Sequence, residues 1–216
     1  MADDVLILAE LLCARLVHDL SGPVGAVANG AELLGDGIDD SGGGEIAREA
    51  IALLTDSAAA AVGRLRILRA ALGIQAATPI PFAEARRLAA DYFKKGVSGP
   101  EAIALDWPAA IDAALGSTPA RLVLNLLLLA RDCLPRGGAI RLLGPAAGTV
   151  LTVVAEHSHA VLGEAAKAVA ATGIADLTVR GAQGYFAARL AAQEGLSMTI
   201  AARPGRVTIT VAVGTA

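Results

Sequence analysis

The first third of the chain alternates apolar and polar positions at the spacing of an α-helix. Over residues 5–35, apolar side chains recur every three or four positions, at Val5, Leu8, Leu12, Leu16, Leu20, Val24, Val27, Ala31 and Leu34. A stretch rich in Gly, Asp and Ser interrupts the pattern over residues 35–44. A second helical pattern follows over residues 45–72. Two long helices joined by a short loop predict an antiparallel helical hairpin.

A hairpin of two helices cannot enclose an apolar stripe by itself, because each helix needs packing partners on more than one side. Either the rest of the chain or a second copy must cover it, and we expect a homodimer that forms a four-helix bundle. Residues 73–81 contain Thr-Pro-Ile-Pro and cannot continue a helix. We therefore predict two domains, 1–77 and 78–216, joined by this linker.

The remaining chain alternates helical and strand patterns. Helices are predicted over residues 82–95, 119–134, 161–171 and 181–195, with Thr118 as the N-cap of the second of these. Strands are predicted over residues 102–107, 139–143, 150–155, 196–202 and 207–213. The expected fold class is α+β: a helical hairpin followed by an α/β sandwich with a largely antiparallel or mixed sheet.

Composition narrows the class of protein. Hydrophobic residues make up 55% of the 216 positions and aromatic residues only 3%, so we expect a core of small and aliphatic side chains. The longest apolar run, residues 120–130, contains Arg121 and Asn125 and is shorter than the roughly 20 residues that a membrane-spanning helix needs. The acidic N-terminus does not fit a signal peptide. We expect a soluble, cytoplasmic protein that does not bind a membrane.

Charge and cysteine content exclude further classes. The net charge of −3 argues against a dedicated nucleic-acid-binding protein. Residues 1–77 contain 5 Lys and Arg against 11 Asp and Glu, a balance of −6, and the remainder has a balance of +3. Cys13 and Cys133 show no metal-ligand spacing, and we expect both to be small core side chains in a reducing compartment.

His18 is one of only three histidines. At 100° per residue it lies on the side of the first helix opposite the apolar stripe, so we expect its imidazole to face solvent. Gly22 and Gly25 follow on the same side, and Pro23 removes the N–H that would bond to the Asp19 carbonyl. An exposed imidazole is a competent nucleophile at neutral pH, and its small neighbours allow a flat partner to approach.

Residues 18–24, His-Asp-Leu-Ser-Gly-Pro-Val, resemble the phosphoacceptor motif of two-component histidine kinases, which runs His, acidic, Leu, two variable residues, Pro. In that family the motif lies on the first helix of a dimeric helical hairpin. With the preceding Leu-Cys-Ala-Arg-Leu-Val, the segment resembles the ChpT-type histidine phosphotransferases, and the resemblance extends over nearly the whole chain. It implies a second domain that is a degenerate form of the kinase ATPase domain.

The nucleotide motifs of the kinase ATPase domain are altered in this chain. Asn125 occupies the first Asn position of the kinase helix, but Leu129 stands where the magnesium-binding Asn belongs. Residues 153–159 lack the glycines of the kinase loop, and Glu156 does not restore its adenine-reading Asp. Only residues 181–184, Gly-Ala-Gln-Gly, resemble the last Gly-rich motif. A phosphate cradle needs glycine, and Mg²⁺ needs an oxygen ligand, so we predict no ATP binding, no cofactor and no metal in this chain.

Two other groups of residues have alternative interpretations. His157 and His159 could supply two zinc ligands, but no third ligand follows at a sensible spacing, and we interpret them as surface residues at the end of a loop. Arg64, Arg66 and Arg69 suit the C-terminal turn of the second helix, where cations are favourable. That some of them contact an acidic receiver domain remains an open alternative.

The resemblance implies a phosphorelay carrier. His18 would accept a phosphoryl group from the aspartyl phosphate of a receiver domain on an upstream hybrid histidine kinase and pass it to a downstream response regulator. Asp19 would orient the imidazole, and Mg²⁺ would lie in the receiver's acidic pocket. The activity would be that of a histidine phosphotransferase, not of an ATP-dependent kinase.

The predicted docking rim for receiver domains consists of Arg15, Ser21, Gly22 and Gly25. The main alternative function is a non-catalytic pseudo-kinase scaffold that binds response regulators and needs no reactive histidine. An active kinase with divergent nucleotide motifs is disfavoured by Leu129 and by the missing glycines.

Overall fold

The computed structural model describes residues 2–37, 44–73, 79–95 and 102–214. The described residues contain seven α-helices, namely α1 (Ala2–Gly37), α2 (Gly44–Leu72), α3 (Phe82–Lys95), α4 (Ala110–Ala114), α5 (Ala120–Asp132), α6 (Glu164–Lys167) and α7 (Gly181–Gln193). Most of the predicted loop between the first two helices and most of the predicted linker lie outside the described residues. Among the described helices, none combines the length and the hydropathy needed to cross a bilayer.

Five strands form one sheet, in the order β1-β2-β3-β5-β4. They are β1 (Ile103–Asp106), β2 (Gly138–Leu143), β3 (Thr149–Glu156), β4 (Leu196–Arg203) and β5 (Arg206–Val213). The β1–β2 pair is parallel, and the other three pairs are antiparallel. The prediction of an α+β chain with an N-terminal helical region and a mixed sheet is confirmed.

Helices α1 and α2 pack along each other in opposite directions. Near one end, Gly30 lies against α2, where an added Cβ would be 2.9 Å from the Leu54 side chain. Near the other end, Arg64 of α2 contacts Asp19 of α1. Residue numbers therefore rise along one helix as they fall along the other.

Helix α5 forms the centre of the core. Every residue over 122–130 is buried, and the helix contacts α2, α3, α7 and the sheet. Full burial of one leucine side chain contributes roughly 1.5–3 kcal/mol, so this leucine-rich helix contributes much of the hydrophobic stabilisation. The end of α2 packs into the same core through Ile67, Leu68 and Ala71.

Three detailed predictions are wrong: the N-cap of one helix, the start of another and the burial of one cysteine. Thr118 does not cap α5, because the N-cap position is occupied by Pro119 and no side chain bonds to the helix start. Residues 161–163 are not helical, because the Val161 N–H bonds to the Cys133 carbonyl and Gly163 packs on Asp132. Cys133 is buried as expected, but Cys13 is exposed.

The short helix α4 was not predicted from the sequence. It is only five residues long, which is too short to show a helical apolar periodicity. Instead, its Asp112 accepts hydrogen bonds from Arg86 of α3 and from the Trp107 indole at 2.9 Å. These tertiary contacts stabilise a turn for which the local sequence has no signal.

Candidate active site

His18 lies in the middle part of α1 and exposes 62% of its side chain, so the expected solvent exposure of the imidazole is confirmed. It borders a cleft of about 700 Å³ between the first two helices and the ends of α3 and α5. The polar and aromatic residues around this cleft include Arg15, Asp19, Ser21, Arg64, Asp91, Tyr92, Arg131, Asp132 and Arg180.

Asp19 contacts the imidazole directly. Its Oδ1 lies 3.2 Å from His18 Nδ1, and its Oδ2 accepts a hydrogen bond from Arg15 Nε at 2.8 Å. An ionised carboxylate only accepts hydrogen bonds, so in the neutral imidazole this contact places the proton on Nδ1. Nε2 then keeps its lone pair.

Arg15 links the first helix to the end of α5. Its Nη2 donates to both carboxylate oxygens of Asp132, at 3.1 and 3.0 Å, and only 8% of its side chain is exposed. The prediction that Arg15 belongs to an exposed docking rim is therefore corrected: two carboxylates bind the guanidinium beneath the surface. Asp132 was not identified from the sequence, because nothing local indicates a partner 117 residues away.

Burial and neighbouring charges shift the pKa values of both Arg15 and Asp132. Burial alone would lower the pKa of Arg15, but Asp132 and Asp19 outweigh it and raise that pKa above its ordinary value. Burial raises the pKa of Asp132, and the attraction of Arg15 offsets this only in part. The two carboxylates thus stabilise the charged guanidinium, whereas burial is the main reason that the charged form of Asp132 is disfavoured.

Pro23 has a structural consequence one turn away. Because proline has no N–H, the carbonyl of Asp19 loses its usual helical donor. Arg64 of α2 replaces that donor, with Nη1 2.7 Å from the Asp19 carbonyl oxygen. The backbone of the motif is thus bound to the neighbouring helix at the residue beside His18.

The three small residues of the predicted docking rim lie on the exposed side of α1. Ser21 turns its hydroxyl back to the Val17 carbonyl, at 2.7 Å. A Cβ added at Gly22 or Gly25 would meet nothing within 4 Å. The surface next to His18 is therefore low and open.

Cations reach this cleft from three elements. Arg64 comes from α2, Arg131 from the end of α5, and Arg180 from the residue before α7. The Arg131 guanidinium carbon lies 5.9 Å from the centroid of the Tyr92 ring. Burial raises the pKa of the Tyr92 hydroxyl. Sequence analysis missed Arg131, Tyr92 and Arg180 as neighbours of His18, since only the packing of α3, α5 and α7 brings them there.

The residues at the altered nucleotide motifs have partners within the chain. Asn125 is fully buried and donates to the carbonyls of Ala71 and Arg121, both at 2.8 Å, and it accepts a bond from Gln183. Glu156 is paired with Arg141 and Arg206 across the sheet. The polar groups of Asn125 thus bind the end of α2 to α5 and α7.

Gly184 of the remnant Gly-rich segment is a packing residue. A Cβ at this position would lie 1.7 Å from the Ala165 carbonyl oxygen. Only glycine therefore allows α7 to approach α6 this closely.

His157 and His159 follow the end of β3. Their ring centroids are 5.4 Å apart. His157 Nδ1 accepts the His159 backbone N–H at 3.1 Å, and His159 Nδ1 lies 3.0 Å from Ser158 Oγ. In the described part of the chain, no group of three or more His, Cys, Asp or Glu could hold a metal ion.

The three arginines at the end of α2, Arg64, Arg66 and Arg69, lie at two different clefts. Arg64 faces the His18 cleft, whereas Arg66 and Arg69 line a second cleft together with Arg87 and Arg121. Of these three arginines, Arg64 is therefore the one placed to contact a partner that docks at the His18 cleft.

Three comparisons found known proteins that are similar to this chain. The family model for the histidine phosphotransferase C-terminal domain matches residues 82–206. The protein phosphotransferase ChpT of Brucella abortus (strain 2308) is 38% identical over 141 residues, which cover 63% of this chain and 61% of that protein. The chain thus matches about three fifths of the length of this curated relative.

The fold is also found in a solved structure. A structure of a bacterial phosphotransferase at 1.7 Å is similar with a TM-score of 0.71 and 27% sequence identity, over 95% of this chain and 96% of that one. The family match covers more than half of the chain, and the similarity to ChpT agrees with the resemblance to ChpT-type histidine phosphotransferases. The chain belongs to the histidine phosphotransferase family, of the ChpT type.

Proposed function

We propose that this chain is a phosphorelay carrier in which His18 accepts and donates a phosphoryl group. The observation that supports this most directly is the pairing of an exposed imidazole with the Asp19 carboxylate at Nδ1. That contact leaves a lone pair on Nε2, the form of imidazole that acts as a nucleophile.

In the proposed step, the Nε2 lone pair of His18 attacks the phosphorus of an aspartyl phosphate on a receiver domain. The N–P bond forms while the P–O bond to the receiver's carboxyl group breaks, and that carboxylate leaves with the electron pair. The phosphorylated ring keeps its proton on Nδ1 and becomes cationic, and the adjacent Asp19 stabilises this charge. Transfer to the next receiver reverses these bond changes.

Little covalent work is required of the protein, because phosphoryl transfer depends mainly on positioning and on charge stabilisation. Mg²⁺ would be supplied in the acidic pocket of the receiver. The proposed docking surface consists of Ser21, Gly22 and Gly25 around His18, where the low relief of α1 allows a receiver to approach. Cations on the cleft wall, Arg64, Arg131 and Arg180, suit an acidic partner.

We propose that the chain transfers phosphoryl groups without ATP. Asn125 uses its amide within the core, Leu129 is fully buried, and Glu156 is paired with two arginines. These features support the loss of a nucleotide site in a domain derived from the kinase ATPase sandwich. Nucleotide binding at micromolar affinity, or autophosphorylation from ATP, would contradict this part of the proposal.

The proposed organisation is a dimerisation hairpin, residues 1–77, and a degenerate ATPase-like domain, residues 78–216. Support for a dimeric four-helix bundle comes from exposed apolar residues on one side of each helix. On α1, Leu6, Val17 and Val24 are among the exposed apolar residues and form one such set; on α2, Ile51, Val62 and Leu65 form another. Their spacing places each set on one helical face, where a second copy would bury them.

The test of the function is phosphoryl uptake by His18→Ala from a phosphorylated receiver. Loss of the nucleophile is expected to abolish uptake, while folding and the oligomeric state remain unchanged because the side chain is exposed. His159→Ala, which removes another exposed histidine, is the matched control and should take up the group like the wild type. Persistent uptake by His18→Ala would contradict the mechanism, and no uptake by the wild type would favour the scaffold alternative.

A further inference from the structure

We propose that Asp132 is a positioning residue for the phosphoacceptor. Acting through Arg15 and Asp19, it would hold the His18 imidazole with its proton on Nδ1 and its Nε2 lone pair free. This inference rests on the proposed role of His18 in phosphoryl transfer.

The four side chains form a continuous series of contacts. Both oxygens of Asp132 accept from Arg15 Nη2, at 3.1 and 3.0 Å. Arg15 Nε donates to Asp19 Oδ2 at 2.8 Å, and the other oxygen of Asp19 lies 3.2 Å from His18 Nδ1. The two middle groups, Arg15 and Asp19, therefore each use one nitrogen or oxygen for the group before and another for the group after.

Because the guanidinium is rigid, its contact with Asp132 also fixes its orientation toward Asp19. Its nitrogens lie in one plane with fixed geometry, so fixing Nη2 on Asp132 also fixes where Nε points. The Nε–H in turn determines the orientation of the Asp19 carboxylate. A lysine ammonium would attract both carboxylates but would impose no such plane.

The four side chains become less exposed from His18 toward the pair of Arg15 and Asp132. Side-chain exposure is 15% for Asp132 and 8% for Arg15, compared with 23% for Asp19 and 62% for His18. Water competes least with hydrogen bonds in the less exposed part of a protein, so the pair of Arg15 with Asp132 is the persistent one. This pair orients Asp19 and so stabilises the more exposed contact between Asp19 and His18, which solvent would otherwise weaken.

Asp132 also belongs to a rigid element. It is the last residue of α5, whose preceding residues over 122–130 are all buried. Functional groups supported by packed helices are held more accurately than those on loops. The C-terminal part of the chain would thereby set the state of a histidine that lies on α1.

The test combines a spectroscopic readout with kinetics on the full chain. Nitrogen-15 NMR reports which nitrogen of His18 is protonated, with His18→Ala used to assign the signals. We expect the Nδ1–H form to dominate in the wild type and to decline in Asp132→Ala, Asp132→Asn and Arg15→Lys. Transfer from a saturating phosphorylated receiver should slow about tenfold with KM unchanged, less than the hundredfold that a misplacement of 1 Å can cost.

Asp112→Ala is the matched control. Asp112 is another carboxylate of low exposure, 18%, that pairs with an arginine, and it accepts from Arg86 and Trp107. Its removal should lower stability without changing the protonation of His18 or the transfer rate. If Asp132→Ala does not fold, Asp132→Asn and Arg15→Lys decide the question, because they retain the volume or the charge.

The outcomes separate this inference from the proposed function. Normal transfer with an unchanged His18 proton position in the Asp132 variants would overturn the inference and leave the function intact. An equal effect of Asp112→Ala would also overturn it. A wild type that accepts no phosphoryl group, while the Asp132 variants still shift the proton, would remove the function and retain the positioning of the imidazole by Asp132.

Discussion

At the scale of single residues, Asp19 has three contacts, two with its own helix α1 and one with α2. One carboxylate oxygen faces His18, the other accepts from Arg15, and the backbone carbonyl accepts from Arg64. The third contact exists because Pro23 leaves that carbonyl without a helical donor. The motif thus weakens α1 next to the nucleophile and replaces the lost bond with one from α2.

The sequence identifies only part of this arrangement. The adjacency of His18 and Asp19, and the effect of Pro23, follow from the order of the residues and from helix geometry. Arg15 lies four residues before Asp19, a spacing at which side chains meet on a helix, so their pairing has a local signal. Asp132 and Arg64 have none, because their positions depend on how α5 and α2 pack against α1.

A prediction at this scale concerns Glu156, whose pKa is lowered first by the hydrogen bond from Arg206 and also by Arg141. A carboxyl group with a lowered pKa adds stability above its ordinary range, near pH 4.5, and this stability is lost as the pH falls through the lowered value. Glu156→Gln should therefore cost up to about 1 kcal/mol at neutral pH, since solvent screens the pair. The difference from the wild type should shrink in acid, as measured by urea unfolding at several pH values.

Glu84→Gln provides the comparison. The Glu84 carboxylate lies 3.9 Å from Arg87 on an exposed helix face, so its loss should change the unfolding free energy less at neutral pH. A cost of Glu156→Gln that stays constant from neutral to acid pH would contradict the electrostatic explanation.

At the scale of elements, glycine serves two opposite purposes in this chain. In α1, Gly22 and Gly25 leave open space beside His18, at an expense to helix stability. In α7, Gly184 permits contact with the Ala165 carbonyl. The same residue type therefore indicates a low surface in one helix and tight packing in another.

These two purposes predict opposite effects of alanine. Gly25→Ala should stabilise the protein by about 1 kcal/mol, because the methyl group meets nothing and alanine favours a helix. Gly184→Ala should destabilise it by about 1–3 kcal/mol, because the methyl group would overlap backbone that can move only with α6. Thermal and urea unfolding of both variants measure the two changes, and a stabilising Gly184→Ala would contradict the packing described for α6 and α7.

Element positions were predictable where the apolar pattern was long. The bounds of α3 match the sequence prediction, and α2 differs from it by one residue. The failures lie where tertiary contacts override local preference, as at Val161, whose N–H bonds to the end of α5. Near His18, the contact with Asp19 follows from their adjacency in sequence, whereas the burial of Arg15 does not, since its partner Asp132 is distant in sequence.

At the scale of the whole molecule, the exposed apolar residues of α1 and α2 are the main feature without a partner in a single described chain. Val17 and Val62 expose 66% and 46% of their surface, and each belongs to a set that shares one helical face. Cys13 lies on the same face of α1 as Val17, one turn away. A second copy of the hairpin would cover both faces.

The proposed dimer predicts a response to charge on this face. Val62→Glu should convert the protein to a monomer, because it would bury an unpaired carboxylate at the interface, and light scattering measures the change. Val161→Glu alters a residue of similar exposure, 51%, outside the two helices and should leave the dimer intact.

The reactivity of the two cysteines gives a second measurement. Cys13 should react faster with a thiol reagent in Val62→Glu than in the wild type. Cys133 is buried, and burial raises its pKa, so it should remain protected in both proteins. A wild type that is monomeric would contradict the four-helix bundle.

The central claim is that His18 accepts a phosphoryl group from a receiver domain. Its most direct test is the intact mass of this chain after incubation with a phosphorylated receiver and Mg²⁺, at neutral pH so that the acid-labile phosphohistidine survives. The account predicts the mass of one added phosphoryl group per chain, located at His18 by fragmentation and absent from His18→Ala. No gain in mass, or a gain located at another residue, would contradict it.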